Sequence, residues 1–337
     1  MFFDTALDDP EALGQIDGVL RDIASWGAQV RRAYGAAADA LADLDAGDRP
    51  RAVVAGGPDG RLFRAVLEPI CPVPFVAWPH PGLPAWAGPL DLVVVVCAEG
   101  SGIDAVSTAA EARRRGCALL VAAPEGSELH TVSDGRDAVF LPASGSNATA
   151  LAVPVLSALH RLGLGPDVQP ESVADALDDI AERCSPRVGV DENVAKEVAL
   201  ALADSTPLVW GGSVLAARAA RRIAEALRSA SGRPAVAGDD EQLVPLLSNA
   251  PEVDVFADPF EDGPAPLRPV LIILDDGTES PVLDVARRRL EAEAEQASVR
   301  VYPVRAAEGS QIGRFVTLLA VGRYAAAYLA LGMGRPA

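Results

Sequence analysis

Apolar positions between residues 11 and 46 recur every three or four residues: Leu13, Ile16, Val19, Leu20, Ile23 and Trp26, then Val30, Tyr34, Leu41 and Leu44. That period predicts one long helix or two, closed by the turn Asp45-Ala46-Gly47-Asp48. Beyond it the pattern changes to short apolar runs alternating with helical stretches. Strands are expected at Ala52–Ala55, Leu90–Cys97, Ala118–Ala123 and Ala138–Leu141, with an extended piece at Pro72–Trp78. Helices are expected at Leu62–Leu67, Gly102–Arg115 and Ala148–Leu162. The run Val93–Val96 is apolar throughout, which suits a parallel strand buried on both faces.

Leu164–Pro170 carries Gly and Pro and reads as a junction. Helices from Pro170 and over Asn193–Leu202 follow it. The alternation then returns, with strands at Leu208–Trp210, Val253–Phe256, Val270–Leu274 and Val299–Val304. Helices are expected over Leu215–Ser229, Pro281–Gln296 and Ser310–Leu331. Both halves show the same order of elements, so an internal duplication is expected. The predicted fold class is α/β, with two domains that are each a parallel sheet flanked by helices, an αβα sandwich. The expected division is an N-terminal helical segment 1–50, a first domain 51–165, a helical linker 166–206 and a second domain 207–337.

Composition narrows the function classes. The 337 residues are 50% hydrophobic but only 5% aromatic, so the core must be built from Ala, Val and Leu. A net charge of −18 argues against nucleic acid or an anionic membrane as partner. Cys71, Cys97, Cys117 and Cys184 fit neither CxxC nor zinc spacing and read as buried small hydrophobes in a reducing compartment. Three histidines, His80, His130 and His160, have no ligand spacing, and no metal site is expected. The acidic start Met1-Phe2-Phe3-Asp4 lacks an apolar export core, so a cytoplasmic protein is expected. Phe315–Gly334 is long enough to span a membrane, yet Arg314, Arg323 and its glycines favour a buried core helix.

Candidate chemistry sits at the strand ends, where αβα sheets place their sites. Two glycine turns follow apolar runs and precede helices: Gly56-Gly57, with Asp59 beyond, and Gly211-Gly212-Ser213. Such turns bring backbone N–H groups toward an anion at a helix N-terminus, though each is equally a plain tight connection. Other strand ends carry Glu99-Gly100-Ser101, Ser144-Gly145-Ser146 and Asp275-Asp276-Gly277-Thr278. The expected ligand-binding set is Gly56, Gly57, Asp59, Glu99, Gly100, Ser101, Ser144, Gly145, Ser146, Gly211, Gly212 and Ser213. Asp59 and Glu99 oppose a dianion, so a neutral or cationic ligand suits those turns better. Glu99, Asp239 and Glu241 are the candidate catalytic acids.

With these residues in hand, the chain resembles the bifunctional phosphoglucose/phosphomannose isomerase family, built from two sugar-isomerase (SIS) domains. Asp191-Glu192-Asn193-Val194-Ala195-Lys196-Glu197 is similar to the family's Glu-Asn-Pro-Ala-Lys segment. Pro207–Arg222 resembles its apolar strand, glycine turn and Arg-bearing helix, and Tyr324–Leu331 its closing helix. The departures fall on the chemistry. Pro58 stands for the serine of the first turn. Cys97, Glu99 and Gly102 stand for the two serines and the threonine of the second phosphate loop. The third-loop arginine falls at Thr149, the proton-abstracting glutamate near Ser229 and the ring-opening histidine near Pro245.

The resemblance implies a homodimer without cofactor, acting near glucose and mannose phosphates, with a small sugar or sugar phosphate as ligand. The departures imply a catalytically degenerate member with a ligand-binding or scaffold role. The alternative is an active isomerase with relocated acids, and a sensor of sugar phosphates is a third reading. The apolar final helix is expected to be buried against a partner subunit.

Overall fold

The structure, a computed structural model, describes residues 2–44, 47–57, 60–143, 148–252 and 267–335. A 3-10 turn, Asp4–Leu7, leads into helices α1 (Pro10–Gly14), α2 (Asp17–Ala24), α3 (Trp26–Ala36) and α4 (Ala38–Ala42). There follow β1 (Val53–Gly56), α5 (Gly60–Leu67), β2 (Phe75–Trp78), β3 (Leu92–Val96), α6 (Ile103–Arg114), β4 (Ala118–Ala123), α7 (Glu128–Ser133), β5 (Ala138–Pro142) and α8 (Ala148–Arg161). The chain continues through α9 (Pro170–Arg183), α10 (Val194–Ala201), β6 (Ser205–Gly211), α11 (Val214–Ser231), β7 (Val236–Ala237) and α12 (Asp240–Ser248). It ends with β8 (Arg268–Asp275), α13 (Pro281–Gln296), β9 (Arg300–Arg305) and α14 (Gln311–Gly332). The strand expected at Val253–Phe256 lies outside the described residues.

Backbone packing separates two compact units, Ser25–Asp175 and Met1–Ala24 with Ala176–Ala337. These limits cut through the expected N-terminal segment 1–50 and the expected linker 166–206. The N-terminal helical run is also broken into four short helices rather than one or two. Gly14, Gly18, Gly27 and Gly35 lower its helix propensity. Its joints are tight turns: Gln15 N donates to Ala12 O, and Ala37 N to Ala33 O and Gly35 O.

In the Ser25–Asp175 unit, five parallel strands run in the order β2-β1-β3-β4-β5. Val93, Val95, Leu119 and Val121 face Ala105, Ala109 and Ala112 of α6 and Leu129 of α7 across one core. The other face meets α5 and α8. Small residues allow the closest approach: a Cβ at Gly56 would lie 2.4 Å from Thr108 Cγ2 of α6. At the opposite end of the sheet, buried Asp91 is gripped by Arg51 at 3.0 and 2.6 Å and by the Gly88 amide at 2.8 Å.

The second unit repeats the pattern with four parallel strands, β7-β6-β8-β9. The order matches β2-β1-β3-β4, as a duplicated element order predicts. Ala306 N donates to Asp275 O, so alternate β9 amides face β8 and position 303 faces outward. Pro303 supplies no N–H there, which makes that edge a poor template for another strand.

Helix α14 packs against α11, α10, α2 and the N-terminal 3-10 turn. By length and composition it is apolar enough to cross a membrane, but its apolar window is 89% buried within the protein. Its own chain therefore covers that apolar window, as the reading of a buried core helix expects. The contact with α11 is tight, since a Cβ at Gly322 would lie 2.3 Å from Ile223 Cγ1. Beside it, fully buried Lys196 bonds Asp8 Oδ1 at 2.8 Å and the Pro186 carbonyl at 3.1 Å, and lies 5.6 Å from the Tyr328 ring centroid. Cys97, Cys117 and Cys184 are buried, and burial pushes the Cys184 thiol up to about 12. Cys71 is half-buried.

Two substitutions on α14 should act with opposite signs. The Tyr324 hydroxyl is buried without a hydrogen-bond partner among the described residues, so Tyr324→Phe should leave stability equal or raise it by up to about 1 kcal/mol. Gly322→Ala should cost about 1–3 kcal/mol through the clash with Ile223. Urea unfolding of the two variants measures both.

Candidate functional site

A parallel sheet whose strand order reverses between neighbours opens a crevice at their carboxyl ends. Here the reversals lie between β1 and β3 in one unit and between β6 and β8 in the other. The two glycine turns singled out in the sequence, Gly56-Gly57 and Gly211-Gly212-Ser213, lie at the carboxyl ends of β1 and β6, at these mouths.

At the β1/β3 mouth, Gly57 takes φ +83° and Gly100 φ +69°, which glycine alone adopts readily. Gly100 is turned inward, and a Cβ there would lie 2.4 Å from Ser127 Cβ. Its amide donates to Cys97 O at 3.1 Å and its carbonyl accepts from Leu129 N at 2.8 Å. That amide is therefore consumed within the loop. Gly102 precedes α6 and offers no side-chain cap, while Glu99 and Ser101 are exposed. Asp59, Ser144, Gly145 and Ser146 lie outside the described residues.

The β6/β8 mouth is more completely built. Gly211 and Gly212 let the turn pass close to α11 and to the Trp210 ring: added Cβ atoms would lie 2.3 Å from Ala216 C and 2.9 Å from Trp210 Cη2. Ser213 caps α11, its Oγ accepting from Ala216 N at 3.0 Å, and the same hydroxyl donates to Asp276 Oδ2. Asp276 Oδ1 accepts from Thr278 N at 3.1 Å. Asp275 accepts from Gly277 N at 3.0 Å and from Arg287 Nη1 at 3.2 Å. Arg287 is shared with Glu291 at 2.9 Å, a contact that raises the guanidinium's proton affinity further. Arg314 of α14 donates to the Asp276 carbonyl at 2.6 Å. Between these groups lies a cavity of about 280 Å³, walled by Trp210 and Leu283 and edged by Asp276, Glu279, Asp284 and Arg287.

The candidate acids do not converge here. Asp239 follows edge strand β7 and caps α12, accepting from Gln242 N at 2.9 Å in a reciprocal capping box. Glu241 is exposed on the first turn of the same helix, and Glu99 belongs to the other unit. Ser229 is exposed on the last turn of α11, at the far end from the mouth, and Pro245 lies inside α12. Asn193 caps α10 through Ala195 N and Lys196 N, so the Asp191–Glu197 segment serves as a helix start. The cavity acids Asp275, Asp276, Glu279 and Asp284 were absent from the expected ligand set. The available signal was the pair Asp275-Asp276 at the same point of the duplicated order as Glu99.

The fold is α/β, two parallel sheets flanked by helices with glycine turns at their strand ends, and similar solved structures share it. Residues 191–336 match the family described as bacterial phospho-glucose isomerase C-terminal SIS domain. A curated relative, the bifunctional phosphoglucose/phosphomannose isomerase of Caldicellulosiruptor bescii, is 27% identical over 194 residues, covering 54% of this chain and 57% of the relative. The match thus spans little more than half of that enzyme. Similar solved folds include the C-terminal domain of glucosamine-fructose-6-phosphate aminotransferase from Francisella tularensis. It has a TM-score of 0.64 and 15% identity, over 94% of this chain and 96% of that one. Tagatose-6-phosphate ketose/aldose isomerase from Escherichia coli gives a TM-score of 0.65 and 15% identity, over 95% and 93%.

Ser213→Ala should destabilise the second unit by about 1 kcal/mol, by removing the α11 cap and a hydrogen bond to Asp276. Chemical denaturation of the variant against the parent chain measures the loss.

Proposed function

We propose that this chain is a SIS-fold protein that binds a carbohydrate ligand without isomerising sugar phosphates, acting as a ligand-binding or scaffold protein in glucose and mannose phosphate metabolism. One observation carries the reading: at the better-built mouth, the one hydroxyl of the glycine turn is held by a carboxylate. Among the described residues, the cavity beside it presents four carboxylates against one guanidinium. A phosphate oxygen 4 Å from a carboxylate meets about 1–4 kcal/mol of repulsion per charge pair, depending on local dielectric. The β1/β3 mouth supports the same reading, because the Gly100 amide is spent on Cys97 O and an acid, Glu99, replaces a hydroxyl.

Similarity to the Caldicellulosiruptor isomerase favours a second reading, an active glucose/mannose-phosphate isomerase with relocated acids. Asp239 is a poor candidate for that role, because its carboxylate is committed to a helix cap. Glu99 and Glu241 are exposed and keep the alternative testable.

The discriminating experiment is a coupled assay of the full chain with fructose 6-phosphate, glucose 6-phosphate and mannose 6-phosphate. No turnover above the blank is expected. Turnover on the order of 1 per second or faster would overturn the reading. Loss of such turnover in Glu99→Gln or Glu241→Gln would install the relocated-acid isomerase in its place.

A further inference from the structure

We propose that the cavity at the carboxyl ends of β6 and β8 takes a small polyol that bears an amine and no phosphate, in chemical class a hexosamine. The proposal deepens the reading given above and rests on it, because it names the ligand that a phosphate-repelling SIS cavity would accept.

Size comes first. About 280 Å³ lies just below the usual range of roughly 300–1,000 Å³ for small-molecule sites, which suits a single sugar ring better than a nucleotide. The walls come next. Trp210, almost wholly buried, and Leu283 give the cavity an apolar side. Gly212 packs directly against the indole, which a Cβ would crowd at 2.9 Å. A pyranose ring has an apolar C–H face that packs on such a surface, while its hydroxyls need acceptors at the edge.

Those acceptors are present and differ in how far they are used. Asp275 and Asp276 are fixed by Gly277 N, Thr278 N, Ser213 Oγ and Arg287, and each fixed oxygen retains a second lone pair. Glu279 and Asp284 line the same cavity, and their carboxylates make no hydrogen bond among the described residues. Arg287 is the cationic side chain lining it, and Glu291 shares its charge. An ammonium, with three donors and one positive charge, answers both the excess of acceptors and the excess of negative charge. A metal ion answers them less well, because among the described residues no three His, Cys, Asp or Glu side chains converge as ligands.

The test is isothermal titration of the full chain with glucosamine, glucose, glucose 6-phosphate and ammonium chloride, each up to about 50 mM, a range that reads millimolar affinities. Saturable glucosamine binding is expected, with glucose roughly tenfold weaker and no saturable heat from glucose 6-phosphate or ammonium chloride. The double variant Glu279→Gln/Asp284→Asn changes exposed side chains and should fold normally, checked by its unliganded melting temperature. It should bind glucosamine roughly tenfold more weakly. Four results would overturn the proposal: no saturable glucosamine binding, unchanged binding by the double variant, equal binding of glucose 6-phosphate, or reproduction of the signal by ammonium chloride. Isomerase turnover by the same preparation would instead overturn the functional reading beneath it.

Discussion

A central strand of a parallel sheet spends its backbone polar groups on two neighbours and its side chains on two covering layers. Only the loop at its carboxyl end is left to meet a ligand, and both halves of this protein obey that constraint. Val93–Val96 of β3 and Leu271–Leu274 of β8 are buried almost completely. The residues that could touch a ligand are therefore confined to a few positions after β1, β3, β6 and β8. A few substitutions there can change what the fold binds while the sheet stays intact.

The two mouths are built in different ways. In the first, inward packing of Gly100 against Ser127 closes the loop on itself. In the second, charge determines the outcome: Ser213 serves α11 as cap and Asp276 as donor at the same time. An N-terminal helix end favours an anion, and here the chain supplies its own carboxylate at that place. The Arg287 and Arg314 contacts hold the β8 loop in position without making the cavity basic.

Much of the architecture was legible from hydrophobic pattern alone. The all-valine run of β3, β4 at Ala118–Ala123 and α13 at Pro281–Gln296 fall where the pattern places them. Short elements such as α7, β7 and α12 carry too few periodic positions to register. The N-terminal helix breaks were hidden because glycine weakens a helix without altering its apolar stripe. The burial of α14 was legible, since Arg314, Arg323 and its glycines marked a core helix rather than a membrane span. At the site, the sequence located the glycine turns but could not sort the acids. Asp239 and Asp276 are both carboxylates near strand ends. One is a helix cap and the other edges a cavity, a difference that depends on which strand each follows.

The central claim is that the carboxylates at the strand ends keep phosphate esters out. Phosphorus NMR of glucose 6-phosphate, titrated with the unmodified full chain at low salt, tests it most directly. The account predicts a phosphate resonance whose linewidth and shift do not change with added protein. Saturable broadening or a saturable shift, relieved by competing inorganic phosphate, would contradict it.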